Sequence, residues 1–414
     1  MSTGKLPAPD RARMQHRLAA LSAPEVGGTA NGGVDRPALS DADKAARDLL
    51  WTLMEELGLA VRVDDLGSMY GRREGRDSDA APVFVGSHLD TVSPGGRFDG
   101  ILGVVAALEV VSLLEAAGAP TRRPVEVVNW TAEEGARFAP AMLASGAVAG
   151  VHDRDFVYAR ADAVGRTFGE ELERIGYRGG QEHRPQKIHA SLEVHIEQGT
   201  VLEDSGDSVG VVEGIAPVRW HQVTVRGRGE HAGGPELRHR RDAGVAAARM
   251  MVEARDLALA ASDFKTTVGI IAAQPGSTNV VPHTVRFSLD VRAVTDERLD
   301  DAVRLVTAAF AEVAGQEGVE VVVDETWRLP PTEFDPDLRD LIEATAARLG
   351  HRSRRLLGGI GHDSMYLAQI TRAAMIFTPT VGGLSHCEQE DSPWQDITKA
   401  VEVLAHVTAE TANT

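Results

Sequence analysis

The sequence predicts a discontinuous α/β domain, a mixed sheet between helices, that is interrupted by an inserted α+β domain. Three observations predict it. Short apolar runs alternate with helical patterns over the first half of the chain, a later stretch alternates apolar and polar residues strictly, and the α/β pattern returns after Pro330 and Pro331. At 414 residues the chain exceeds one ordinary domain, so two domains are the natural expectation.

Taken in order, Val83 to Gly86 (VFVG) reads as a buried strand and Gly103 to Ala117 as a helix that Gly118 ends. Val125 to Trp130 and Leu192 to Ile196 read as further strands. Near Gly214 the pattern changes. Val285, Phe287, Leu289 and Val291 alternate with Arg286, Ser288 and Asp290, the signature of a sheet covered on one face and wet on the other. Arg219 to Gly227 suits a companion strand and Val319 to Val323 a further one. Helices over Arg240 to Ala260 and Asp296 to Ala314 would cover the apolar face, the second with Leu299, Ala302, Val303, Val306, Phe310 and Val313 at helical spacing. Ala374 to Thr378 resumes the strands and Trp394 to Ala409 closes the chain as a helix. The expected organisation is catalytic domain over 1–213, insertion over 214–328 and catalytic domain again over 329–414. The Gly-rich stretch Ala23 to Gly33 and the charged stretch Arg72 to Asp79 read as mobile loops.

Composition narrows the function. Lys and Arg number 43 against 61 Asp and Glu, and a net charge of -18 repels phosphate, so nucleic acid is not an expected partner. A single cysteine, Cys387, excludes an intramolecular disulfide. No stretch has the apolar length of a membrane span, and the start lacks a secretory apolar run, so a cytoplasmic protein without a membrane partner is expected.

The chemistry lies in scattered residues. His88, Asp99, Glu134, His195 and His386 are potential metal ligands, with Glu133 as a spare carboxylate beside the third. Mixed imidazole and carboxylate donors of this kind can hold a pair of divalent ions and activate water, which points to a hydrolase. The strands end where these residues lie, as ligand sites in open α/β sheets do. Asp90, two residues after His88, could fix the imidazole tautomer through its carboxylate. Adjacent Glu133 and Glu134 point different ways along an extended backbone, so one could bind metal and the other serve as general base. Each segment also has an ordinary reading: a polar Gly-rich loop, an acidic helix start, a near-core histidine. Their joint occurrence in this order outweighs those readings.

The segments GSHLD with GGRFDG, EEGARFAPAM, HIEQGTVLE, HAGG with RRDA, GSTNVVP, DVRA, GHDSM and GLSH resemble the M20 metallopeptidase superfamily. The resemblance is closest to its hydantoinase/carbamoylase branch, which includes N-carbamoyl-L-amino-acid hydrolases, allantoate amidohydrolases, ureidoglycolate amidohydrolases and β-ureidopropionases. It runs from about Ser40 almost to the C-terminus; His195 followed by Gln198 favours this branch over the aminoacylases and peptidases. Carried over residue by residue, it implies that His88 and His195 serve one ion, Glu134 and His386 a second, and that Asp99 bridges them. Glu133 matches the general base. Arg292 matches a clamp for the substrate carboxylate, Gln198, His231 and Asn279 match polar contacts, and Gly359 and Ile360 match backbone beside the substrate. His231 would also stabilise the oxyanion. The resemblance further implies a homodimer in which the partner's small domain supplies the residues at positions 231 and 279.

The chain departs from the family pattern at Gly234-Pro235-Glu236-Leu237 after His231, at Ile360 in place of alanine, at Cys387-Glu388 in place of Asn-Pro, and at Ser68 in place of asparagine. None of these is a candidate ligand. The expected activity is hydrolysis of a linear C–N bond in an N-carbamoyl or ureido acid, giving ammonia and carbon dioxide. The expected cofactor is two divalent ions, zinc first, with manganese, cobalt and nickel also suiting the donors. A deacylase or dipeptidase acting on N-acyl amino acids, and a non-catalytic binding protein on the same fold, are the alternatives.

Overall fold

The computed structural model describes residues 6–414. Strands order themselves by burial. Val83–His88, Val125–Trp130 and Ala190–Ile196 are buried at every position, as strands covered on both faces must be, and they pair in parallel with Val83–His88 between the other two. Arg372–Thr378 continues the parallel set beside Ala190–Ile196. Antiparallel strands flank this core: Met69–Arg73 and then Ala60–Val63 on one side, Val209–Ile215 on the other. The result is a mixed sheet of nine strands among the described residues.

The helix after the Val83–His88 strand, Ile101–Ala116, is buried continuously from Ile101 to Leu114. A helix apolar all round belongs inside a core. The acid within its buried stretch, Glu109, is met there by Arg13 and Arg17 of the N-terminal helix Arg11–Ala20. The closing helix Trp394–Thr411 packs on the same helix and on the strand Ala190–Ile196.

Contacts divide the chain into two compact units, one formed by Met1–Gly214 with Glu333–Thr414 and the other by Ile215–Thr332. The second unit has its own core. Thr284–Ala293 buries Val285, Phe287, Leu289 and Val291. It pairs antiparallel with Val218–Arg226, which pairs in turn with Glu320–Leu329. Helices Ala243–Ala261 and Asp296–Glu317 supply Ala247, Met250, Val306 and Phe310 to that core.

Several expectations need correction. The first of these two helices starts at Ala243 rather than Arg240, because Asp242 caps it by accepting from the N–H groups of Gly244 and Val245. The Gly-rich stretch Ala23 to Gly33 is tied down rather than loose: Val34 bridges Gly28 and Gly95, and Thr29 and Asn31 bond Glu388. Arg72 and Arg73 belong to a strand, and their heads meet Glu126 and Glu115. Two short edge strands, Phe264–Thr267 and Ile271–Gln274, and the ribbon of Glu230–His231 with Val280–Val281 carry no alternation that would announce them.

Candidate metal centre

The parallel strands deliver the candidate residues to one end of the sheet. His88 is the last residue of its strand, His195 the penultimate residue of the next, Glu133 and Glu134 follow Trp130, and His386 follows the strand that ends at Thr378. Asp99 lies just before the helix Ile101–Ala116. Gly100 between them has φ +65°, and a Cβ there would lie 2.4 Å from the His88 ring. Only glycine fits this turn.

Asp99 is the centre of the cluster. Its Oδ1 lies 3.1 Å from His195 Nε2 and 3.6 Å from His88 Nε2. Its Oδ2 lies 3.3 Å from His386 Nε2, which is also 3.3 Å from Glu134 Oε2. One carboxylate thus offers an oxygen to each of two donor groups, His88–Asp99–His195 and Asp99–Glu134–His386.

The donors fit divalent ions. Ligand atoms placed tetrahedrally about 2.0–2.1 Å from zinc stand roughly 3.3–3.4 Å from one another, and the separations here fall around that value. His88 Nε2 is buried without a hydrogen-bond partner, although its Nδ1 lies 2.9 Å from the Asp90 carbonyl, which can only accept. Nδ1 is therefore the donor to that carbonyl, and Nε2 is the nitrogen left to face the cluster. In His195 the same logic holds: Nδ1 donates to the Ile196 carbonyl at 2.9 Å, and the Gly100 N–H points at Nε2 from 3.2 Å. A tautomer fixed by the far nitrogen is the usual second partner of a metal-binding imidazole.

The role expected of the Asp90 side chain is corrected. His88 is oriented by the Asp90 backbone carbonyl, while the carboxylate, 3.9 Å from Nδ1, accepts instead from the N–H groups of Glu133 and Glu134 at 3.2 and 3.3 Å. Asp90 positions the two glutamates.

Electrostatics follow from the crowding. Burial alone would raise the Asp99 carboxyl, but its three imidazole neighbours, His195, His386 and His88, outweigh it and hold Asp99 well below the usual range. Hydrogen bonds to Asp99 and Glu134 push His386 up to about 11. Burial opposes protonation of His88, yet the nearby carboxylates of Glu133, Asp99, Asp90 and Glu134 raise it well above the ordinary value. Glu133 is raised well above the ordinary carboxyl value, first by burial, with His88 opposing and Asp363, Glu134 and Asp99 adding. Its Oε2 stands 3.6 Å from His88 Nε2.

Four residues in or beside this centre hold left-handed backbone without being glycine: Ala132, Met142, Gln198 and His386. Such conformations cost about 1–3 kcal/mol each and gather at functional sites. Gln198 donates its amide to Asp99 Oδ2 at 2.7 Å and to Ser385 Oγ at 3.0 Å, leaving its buried Oε1 without a partner. Gly359 is exposed and Ile360 half-buried just after the strand Ser353–Gly358.

The remaining candidates lie in the second unit. His231 and Asn279 are brought together there: the Ala232 N–H donates to the Asn279 carbonyl, and Val280 pairs with His231. Both side chains are exposed. Arg292 is half-buried and its guanidinium holds both oxygens of Asp290, at 2.9 and 2.8 Å.

Residues not singled out from the sequence complete the surroundings. His362 is buried with its ring 4.4 Å from that of His195, and burial, then the charge of His195, keeps it well below the ordinary histidine value. Asp363 is buried against Ser145 and is raised to about 8, chiefly by burial. Glu193 accepts from Ser87 and Ser364 at 2.6 Å each, and Glu390 accepts from the Phe98 and Asp99 N–H groups. Glu193 had a signal, since it shares a strand face with His195 two residues on. The others had none beyond the GHDSM and GLSH segments that contain or precede them.

Comparison with known proteins gives one answer. Residues 84–410 match the family described as Peptidase family M20/M25/M40. An N-carbamoyl-L-amino-acid amidohydrolase of Rhizobium meliloti is 40% identical over 389 residues, 94% of each chain. An allantoate amidohydrolase of Bacillus subtilis (strain 168) is 34% identical over 88% of this chain and 90% of its own. The crystal structure of an amidase of the hydantoinase/carbamoylase family from Burkholderia multivorans superposes with a TM-score of 0.90 at 40% identity, covering 98% of this chain and 99% of that one. The chain therefore belongs to peptidase family M20/M25/M40 and groups within it with the hydantoinase/carbamoylase amidases.

Proposed function

We propose that the chain is a dinuclear metal-dependent amidohydrolase that cleaves a linear C–N bond of an N-carbamoyl-L-amino acid or a related ureido acid, yielding ammonia and carbon dioxide. Hydrolysis of carbon–nitrogen bonds other than peptide bonds is its enzyme class. The observation that carries the dinuclear reading is Asp99, whose two oxygens each face a separate group of donors.

Two divalent ions, held by His88, His195 and Asp99 and by Asp99, Glu134 and His386, would supply Lewis acidity and acidify a water molecule. Glu133 takes the proton from that water as it adds to the carbamoyl carbon and returns it to the nitrogen as the C–N bond breaks. A buried carboxyl whose proton affinity is raised suits both transfers. Gln198, with an unpartnered buried Oε1, offers an acceptor to a substrate N–H. Arg292 would clamp the substrate carboxylate with two parallel bonds, exchanging Asp290 for it; His231 would stabilise the oxyanion and Asn279 would add a polar contact. Gly359 and Ile360 would line the substrate along the backbone.

The test is product analysis. Metal-loaded protein is given N-carbamoyl-L-amino acids, allantoate and N-acetyl amino acids with zinc, manganese, cobalt or nickel. Ammonia release from a ureido acid is the expected result; acetate release alone would make the chain a deacylase, and inactivity on every substrate would leave a binding protein.

A homodimer is also proposed, through the inserted unit. The helix Ala243–Ala261 exposes Val245, Val252 and Leu259 at seven-residue spacing, and the edge strand Ile271–Gln274 begins beside exposed Ile270. An apolar stripe and an open strand edge are surfaces that a second copy covers. Val252→Glu should shift sedimentation towards monomer; a wild type that sediments as a monomer would remove this part of the proposal.

A further inference from the structure

His386 is the weak point of the cluster. It is the candidate ligand with left-handed backbone, φ +56°, and its side chain is 47% exposed, whereas those of His88 and His195 are almost fully buried. A strained residue on a loop persists only where its surroundings over-determine it. Two acids that follow it do so by bonding different segments. Glu390 is buried; its Oε1 accepts from Phe98 N at 2.8 Å and Asp99 N at 3.0 Å, and its Oε2 accepts from Ser385 Oγ at 2.7 Å. The Asp99 turn and the residue before His386 are thereby joined through one carboxylate. A Cβ on Gly96 would lie 2.0 Å from Glu390 Oε1, so this approach requires glycine there.

Glu388 reaches the other way. Its Oε1 accepts from Thr29 Oγ1 at 2.5 Å and its Oε2 from Asn31 Nδ2 at 2.8 Å. The loop holding Thr29 and Asn31 is itself fixed by the bridges from Val34 to Gly28 and Gly95, and Gly33 passes so close that a Cβ would stand 2.8 Å from Glu388 Cγ.

We propose that Glu390 and Glu388 are positioning residues that clamp the His386 turn, Glu390 to the Asp99 turn and Glu388 to the Thr29–Asn31 loop, and so set the affinity of the Asp99–Glu134–His386 group for its cation. The proposal rests on the dinuclear reading above. Groups that orient a ligand without touching the ion change metal affinity about ten- to a hundredfold. Glu390 spans the larger number of bonds and is buried, so its effect is the greater.

Metal-free full-length protein is titrated with cobalt(II), whose visible absorption reports coordination, and with zinc against a chromophoric chelator. Wild type should take up two equivalents. In Glu390→Gln one equivalent should weaken about ten- to a hundredfold while the other is unchanged; in Glu388→Ala the same equivalent should weaken several-fold, with partial recovery in Glu388→Gln, which keeps one acceptor. The melting temperature of each metal-free variant should match that of wild type. Two equivalents bound with wild-type affinity in both variants would overturn the clamp, as would equal weakening of both equivalents with a lowered melting temperature. A wild type that binds fewer than two equivalents would overturn the dinuclear reading and the clamp with it.

Discussion

Glutamine at position 133 is expected to lower kcat by about 10²- to 10⁴-fold, the usual contribution of a general acid–base group, with both metal equivalents retained. The side chain sits beside the His88–Asp99–His195 group without being a member of it: Oε2 is 3.6 Å from His88 Nε2, and the backbone N–H is held by the Asp90 carboxylate. Burial, with the charges of Asp363, Glu134 and Asp99, raises its proton affinity well above that of an ordinary glutamate. Glutamine has the same shape and can accept a hydrogen bond but cannot carry a proton between water and the leaving nitrogen. Metal content by elemental analysis, measured beside kcat and KM, separates the roles. Loss of an ion from Glu133→Gln would make Glu133 a ligand.

The second large effect is expected at Asp99. Asp99→Ala removes the one oxygen pair that faces both donor groups, so affinity for both ions should fall by more than the roughly hundredfold lost when only an orienting partner is removed. Activity should fall with it. Dialysed Asp99→Ala protein that still holds two ions would refute the bridging arrangement. The wild type also has a pH signature. Asp99 and Glu134 hold His386 protonated up to about 11, and a cation must displace that proton. Because the folded pKa is raised, protons compete at every pH below it, so metal affinity should rise as pH rises and binding should release protons. Calorimetry in buffers of different ionisation enthalpy reads that release, which should shrink in Asp99→Ala.

Much of the first unit was legible because burial leaves a mark on local pattern. VFVG and VEVVNW are apolar runs bounded by turns, and the observed strands Val83–His88 and Val125–Trp130 coincide with them or extend them by two residues. Thr284–Ala293 was legible for the opposite reason, since one wet face imposes alternation. Edge strands such as Ile271–Gln274, exposed at all four positions, bury nothing and so leave no pattern.

The site divides differently. Residue chemistry alone selected His88, Asp99, Glu134, His195 and His386, because few side chains can hold a divalent ion and the order of their segments resembles one family. The orientation of His88 is not legible in the sequence, since whether a carboxylate or a carbonyl reaches Nδ1 depends on the backbone path through Leu89 and Asp90 and not on which residues are present. Glu390, His362 and Asp363 had no local periodicity to betray them.

By itself the sequence determined the donor types, the buried strands that carry them and the family to which the chain belongs. Only the tertiary structure decided which oxygen of Asp99 faces which imidazole, and that Ser385 and Glu390, nearly three hundred residues away along the chain, close against the Asp99 turn. Period and propensity act over a turn or a strand, whereas these contacts are set by how the parallel strands stack side by side, and no local pattern records that register.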